Sequence, residues 1–331
     1  MRMWRPWFRC HRCVGVIATA ATVLLFCVSG PTALGSSEVR ARLDAAAFGA
    51  RVEPVGGESA QHAVHALEQT LGAKLPLVLE YLDWDDTFPT AYHEWLRDTG
   101  HIIVLLVKLK RSDGSRPLWS RLANAQPGSA LSQDLRNWAT SIRDYGGPVY
   151  FVFHKEPNEY PNRENGTAST YRDAWAKVAT VFDNIGATNA DLVFAMAGSV
   201  YGRSGTADAW YPGNQYVDVI ASSGVNGSCT ATSCSWRSQE QIMAPMVSWS
   251  ADHPNERLGV IEGATVEDPN RPKRKANWID AAHNYLGTAL LDRMAFYTYW
   301  SSSAGGDFRL TTSRESIQAA RRWVTDSAWR P

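Results

Sequence analysis

The sequence predicts an α/β fold closed into a (β/α)8 TIM barrel, a single domain behind an export segment. Three observations predict it. Eight short runs rich in β-branched and aromatic residues recur along the chain, stripes with helical spacing lie between them, and residues 37–331 contain no linker, repeat or low-complexity stretch.

Residues 1–35 read as a secretory signal peptide. Arg2, Arg5, Arg9 and Arg12 form a basic start, Val14–Val28 is a short apolar run, and Gly30–Ser37 is small and turn-rich. The apolar run falls short of the roughly 20 residues a spanning helix needs. A cut after Gly35 is expected, leaving residues 36–331 as a secreted domain with no stable membrane association. Cys10, Cys13 and Cys27 would leave with the leader. Cys229 and Cys234 remain in a Ser/Thr-rich stretch and are expected to form a local disulfide; a two-ligand zinc site is the alternative, with no further ligand beside it.

The strands are expected at Ala46–Val52, Leu77–Leu82, Ile102–Leu109, Val149–Phe153, Leu192–Ala197, Val217–Ser222, Leu258–Ile261 and Ala295–Trp300. Several lack polar alternation, as strands buried on both faces do. After the first strand, Ala60, Val64, Leu67 and Leu71 form a helical stripe. Leu131, Leu135, Trp138 and Ile142 form another, running into Tyr145-Gly146-Gly147. Tyr171–Ile185, Gln239–Trp249, Lys275–Leu291 and Ser313–Val324 are further helical stretches. Strand–helix alternation over the whole length implies a parallel sheet, and eight strands favour closure over an open doubly wound sheet. No GxGxxG follows the first strand, which argues against a dinucleotide site.

Charge narrows the partners. The chain has 33 Lys+Arg and 33 Asp+Glu. With the four leader arginines set aside, residues 36–331 carry 29 bases against 33 acids. A mildly acidic body with no basic stripe excludes a nucleic-acid reader and suits a neutral or small substrate.

Chemistry in such a barrel is carried on loops at the C-terminal ends of strands. Two strands there end in carboxylates. The fourth is followed by His154-Lys155-Glu156-Pro157-Asn158, the seventh by Glu262-Gly263-Ala264. Glu156 and Glu262 should face one another across the mouth, and paired carboxylates flanking one cavity are what glycoside hydrolysis needs. Fourteen Trp are present, twelve of them beyond the leader. Aromatic faces stack on sugar rings, so Trp84 and Trp300, near strand ends, are expected to line the cleft. Trp95, Trp138, Trp175, Trp249, Trp278 and Trp323 lie in helical stretches and are expected to pack. A zinc site on His154-x-Glu156 fails for want of a P-C-x-x-C partner.

These residues resemble glycoside hydrolase family 26, the β-mannanase family, through most of residues 46–310. The specific pieces are Tyr211–Val219 (YPGNQYVDV), Phe153–Asn158 (FHKEPN) and Glu262–Pro269 (EGATVEDP). The resemblance implies a retaining endo-β-glycosidase acting on a plant-type or cell-wall β-glycan, β-mannan first among them. Glu156 would be acid/base and Glu262 nucleophile, with His154, Lys155, Tyr160 and Asn226 among the sugar contacts. It implies a polysaccharide or oligosaccharide partner, a monomer, and no cofactor or metal. A non-catalytic carbohydrate-binding barrel is the alternative. The inner positions depart from the family pattern. Lys155 replaces the usual His, Val152 an Arg, and Val225 the Tyr that bonds the nucleophile, so Glu262 is expected to lack that hydroxyl donor.

Overall fold

The computed structural model describes residues 35–227 and 235–331. Cys229 and Cys234, and residues 1–34 of the leader, lie outside them. Eight parallel strands close into a barrel in sequence order. They are β1 (Ala47–Val52), β2 (Leu77–Asp83), β3 (Ile102–Lys108), β4 (Val149–Phe153), β5 (Ala190–Ala197), β6 (Val219–Asn226), β7 (Arg257–Thr265) and β8 (Met294–Ser301).

Alternation along each strand divides the apolar residues into two cores. Leu77, Leu79, Ile102, Val104, Leu106, Tyr150, Val152, Val193, Ala195, Val219 and Ala221 fill the barrel interior. The residues between them, such as Val78, Ile103, Leu105, Phe151 and Phe194, face the surrounding helices. The expected helices form at Ala60–Leu71, Ala130–Tyr145, Ala168–Ile185, Gln239–Trp249, Arg274–Tyr285 and Arg314–Thr325. Gly146 ends its helix in the left-handed conformation, φ 69°, that glycine adopts without strain. Trp138, Trp175, Trp278 and Trp323 are buried under these helices as expected.

The first helix escaped the sequence reading. Helix Ser36–Asp44 plugs the N-terminal end of the barrel, with Val39 and Leu43 in the interior core. Arg40 forks onto Asp191 through bonds of 2.7 and 2.9 Å, and the Tyr150 hydroxyl donates to the Leu43 carbonyl at 2.8 Å. The bottom is thereby sealed, and the other end stays open for chemistry.

Strands β6 and β7 also run further than their apolar runs suggested. The ladder skips a residue: Ser222 pairs with Val260, but Ser223 pairs with Glu262. On the other side Val260 pairs with Tyr297 and Gly263 with Tyr299, so Ile261 and Glu262 together oppose Thr298. This is a β-bulge within β7. The Thr298 hydroxyl donates to the Val260 carbonyl at 3.0 Å and to the Ile261 carbonyl, satisfying the backbone that the bulge frees. Gly263 follows because the Tyr297 hydroxyl occupies the place a β-carbon would take.

Candidate active site

Counting in twos along the strands from the interior core gives the residues at the open mouth. Arg51 comes from β1, Tyr81 from β2, Lys108 from β3, Ser223 from β6 and Trp300 from β8; on β7 the interior residue Ile261 is followed directly by Glu262, which the bulge turns to the mouth. All of these but Ser223 and Ile261, together with Lys155, line a cleft of about 400 Å³. Glu156 enters at its edge.

Glu156 is delivered by an unusual turn. His154 and Glu156 both have positive φ, 52° and 51°, a region that L residues with side chains seldom enter. The turn is held by the Glu156 amide donating to the Ala195 carbonyl at 2.8 Å. The Asn162 carboxamide donates to the carbonyls of Lys155 at 2.9 Å and of Glu156 at 3.1 Å. One side chain therefore pins both functional residues of the loop.

Lys155 lies between the two carboxylates. Its ammonium contacts Glu262 directly and stands 3.7 Å from Glu156 Oε2. Glu156 Oε1 also accepts from the Ser223 hydroxyl. Burial pushes the Glu262 carboxyl up to about 7 and the Lys155 ammonium down to about 8, and their contact opposes both shifts.

The hydroxyl that Glu262 was expected to lack is present. Tyr81, on β2, donates to Glu262 Oε1. Position 225 does not serve this purpose, since Val225 packs with the helix-side core. The Tyr81 ring is ringed by cations, with Arg51 at 5.6 Å and Lys108 and Lys155 each at 5.9 Å from its centroid. Neither Tyr81, Lys108 nor Arg51 was singled out from sequence. The period-two count along β1, β2 and β3 is the signal that finds them.

Three expected sugar contacts are corrected. His154 is fully buried beneath Trp119, whose indole N–H donates to His154 Nδ1 at 3.2 Å. Burial pushes this imidazole down to about 3, so it is a neutral packing group. Trp84 is 1% exposed and packs against Phe153 and Trp138 in the helix-side core. Its position just after β2 does not bring it to the mouth. Asn226 is also buried, donating to the Thr265 hydroxyl at 3.0 Å and accepting from the Arg237 amide at 2.7 Å. It ties β6 to β7 and is a structural residue. By contrast Trp300 lines the cleft, stacked on Phe308 with ring centroids 5.3 Å apart. Tyr160 stands 70% exposed on the loop after β4, outside the cleft lining.

Comparison with known proteins agrees with this fold. No family model matches the chain. Endoglucanase H of Acetivibrio thermocellus is 24% identical over 281 residues, 82% of this chain and 30% of that protein. The chain thus spans about a third of the length of that curated relative. Among solved structures, the catalytic domain of the Bacillus sp. JAMB-750 GH26 endo-β-1,4-mannanase superposes with a TM-score of 0.63 at 15% identity, covering 89% of this chain and 90% of that one. A β-mannanase from a symbiotic protist of the termite Reticulitermes speratus, solved with a gluco-manno-oligosaccharide, gives 0.58 at 17% identity, covering 88% and 92%. The fold is that of glycoside hydrolase family 26 barrels.

Proposed function

We propose that this protein is a secreted retaining endo-β-glycosidase of the family 26 type, with Glu262 as nucleophile and Glu156 as acid/base. The observation that carries the reading is the single ammonium within ion-pair reach of both carboxylates. Their shared pairing with Lys155 supports the close approach of about 5–5.5 Å that double displacement uses. The inverting arrangement holds its carboxylates further apart, at roughly 6.5–9.5 Å, to leave room for a water.

The chemistry follows from the surroundings. Glu262 attacks the anomeric carbon while Glu156 gives its proton to the departing glycosidic oxygen. A glycosyl ester forms on Glu262. Water then attacks the anomeric carbon, Glu156 takes its proton, and the ester bond breaks with the starting configuration restored. Tyr81 and Lys155 aim Glu262 and stabilise its negative charge. Trp300 offers a face for a sugar ring. The backbone is a β-linked plant-type or cell-wall glycan, with β-mannan the first to try.

A second reading is sugar binding without turnover. The Lys155 bridge favours it, because an ammonium between the carboxylates occupies space that a reacting sugar needs. Incubation with β-mannan, glucomannan, mixed-linkage β-glucan and acid-substituted β-glycans, with analysis of released oligosaccharides, decides between them. Internal cleavage of any of these supports the enzyme. Oligosaccharide binding with no cleavage across the panel supports the binding barrel.

A further inference from the structure

The cations of the mouth are not equally matched. Arg51 is answered by Glu80, 3.3 Å away, and Lys155 by Glu262 and Glu156. Lys108 lines the same cleft, yet among the described residues it has no carboxylate within ion-pair reach and no hydrogen-bond partner. Its sequence neighbours are matched, Lys110 by Asp83 at 2.7 Å and Arg111 by Asp134 at 2.5 Å. A second cation stands near it. Among the described residues Arg116 pairs with Glu164 alone, at 3.8 Å, and its Nη1 is buried without a hydrogen-bond partner. At longer range the fields of Arg116 and Lys110 bear on the Lys108 ammonium, opposed by those of Asp83 and Glu156. The acid on the cleft wall away from Glu262, Glu53, is held on the β8 side by the Ser302 hydroxyl at 2.7 Å and the Ser303 amide at 2.9 Å. The cleft wall therefore carries a cation on β3 with no ion-pair partner among the described residues and, beside β8, an acid already engaged by Ser302 and Ser303.

We infer that the glycan bound in this cleft carries an anionic substituent, a carboxylate or a sulfate, that pairs with Lys108 on the β3 side. The inference rests on the glycosidase-type site described above and names its substrate class. The argument is one of desolvation. A neutral sugar laid over Lys108 would strip water from an unpaired ammonium and return only hydroxyl contacts. Burial already lowers the Lys108 pKa before any ligand arrives. An anionic group reverses that cost, because a charge-assisted hydrogen bond forms where the ammonium is partly shielded from solvent. Arg116 adds to the attraction at longer range.

The test is calorimetric titration of the full domain with paired β-linked oligosaccharides that share one backbone. One of each pair is neutral, and the other bears either a hexuronic acid or a sulfate ester. The unmodified protein should bind the charged member roughly ten- to a hundredfold more tightly. Raising salt should shrink the gap. Lys108→Gln should erase it, and Lys108→Arg, which keeps the charge, should retain most of it. A gain for both kinds of anion, or for the uronate or the sulfate alone, supports the inference and identifies the group. Equal binding of charged and neutral members overturns it, as does a gap that Lys108→Gln leaves intact, or absence of any binding by the charged member. Tight, charge-dependent binding with no cleavage would refute the glycosidase reading while leaving this inference standing. Neutral-glycan cleavage with no charge preference would do the reverse.

Discussion

At the end of β4 the chain leaves the sheet through a turn with His154 and Glu156 at positive φ, whereas at β7 the strand continues past its carboxylate and a bulge does the aiming. The turn buries one side chain, His154, and turns the next two, Lys155 and Glu156, into the mouth. The bulge inserts one residue and brings Glu262 opposite Ser223 while both ladders resume beyond it. The β4 device depends on a carboxamide further along the same loop, Asn162, for its shape; the β7 device is held by Thr298 on the adjacent strand. A strand-borne carboxylate is fixed by the sheet, and a turn-borne one has more freedom to move. That difference suits a nucleophile that must be aimed and an acid that must swing between leaving oxygen and water.

The largest effect separates the two carboxylates. Glu262→Ala should lower turnover by on the order of 10⁴-fold or more for every substrate, with azide restoring part of it from an activated glycoside. Glu156→Ala should cost about 10²–10⁴-fold on natural glycans and much less where the leaving group needs no proton. Equal losses on activated and natural substrates would put both residues in one role. Next comes Tyr81→Phe, which removes one hydroxyl from the β7 carboxylate. A fall of about ten- to a hundredfold in kcat/KM is expected, with stability nearly unchanged.

The third prediction concerns pH. Glu262, at about 7 in the folded protein against 4.5 for an ordinary Glu, keeps a proton that the unfolded chain has lost. Stability should therefore fall as pH rises from about 4.5 to 7, by up to about 3 kcal/mol less the contribution of the Lys155 contact. Glu262→Gln should flatten this slope in urea unfolding measured across that range. For the same reason, activity that needs the carboxylate should rise toward neutral pH.

The smallest effects fall on the supports. Asn162→Ala should cost about 1–2 kcal/mol and loosen the β4 turn, lowering kcat more than it raises KM. Thr298→Val should cost a similar amount by leaving the bulge carbonyls short of a donor. If Asn162→Ala left kcat untouched, the turn would be rigid without its carboxamide and the contrast between the two devices would fail.

How far the sequence carried the fold and the site depends on which physical signal was local. Val149–Phe153 and the helix stripe ending at Gly146 are set by contiguous patterning, and each fell where the residues indicated. The bulge was invisible because Ile261-Glu262-Gly263 reads like a strand end, and only pairing with β6 and β8 shows the strand continuing. His154 misled for a similar reason. A residue beside a catalytic-looking Glu is assumed to share its direction, but positive φ on either side of Lys155 sends His154 inward under Trp119. The period-two count along β2 brings Tyr81 to the mouth, but its contact with Glu262 spans the barrel, and no spacing within β2 records what lies opposite.

The most direct test of the paired-carboxylate account is the configuration of the first product. Proton NMR of oligosaccharide released from a susceptible β-glycan, recorded before mutarotation, reads that anomer. Two carboxylates joined by one lysine predict the β-anomer first, with the α-anomer growing in later by spontaneous equilibration. An α-anomer appearing first would mean single displacement by water, and Glu262 would then not be a nucleophile.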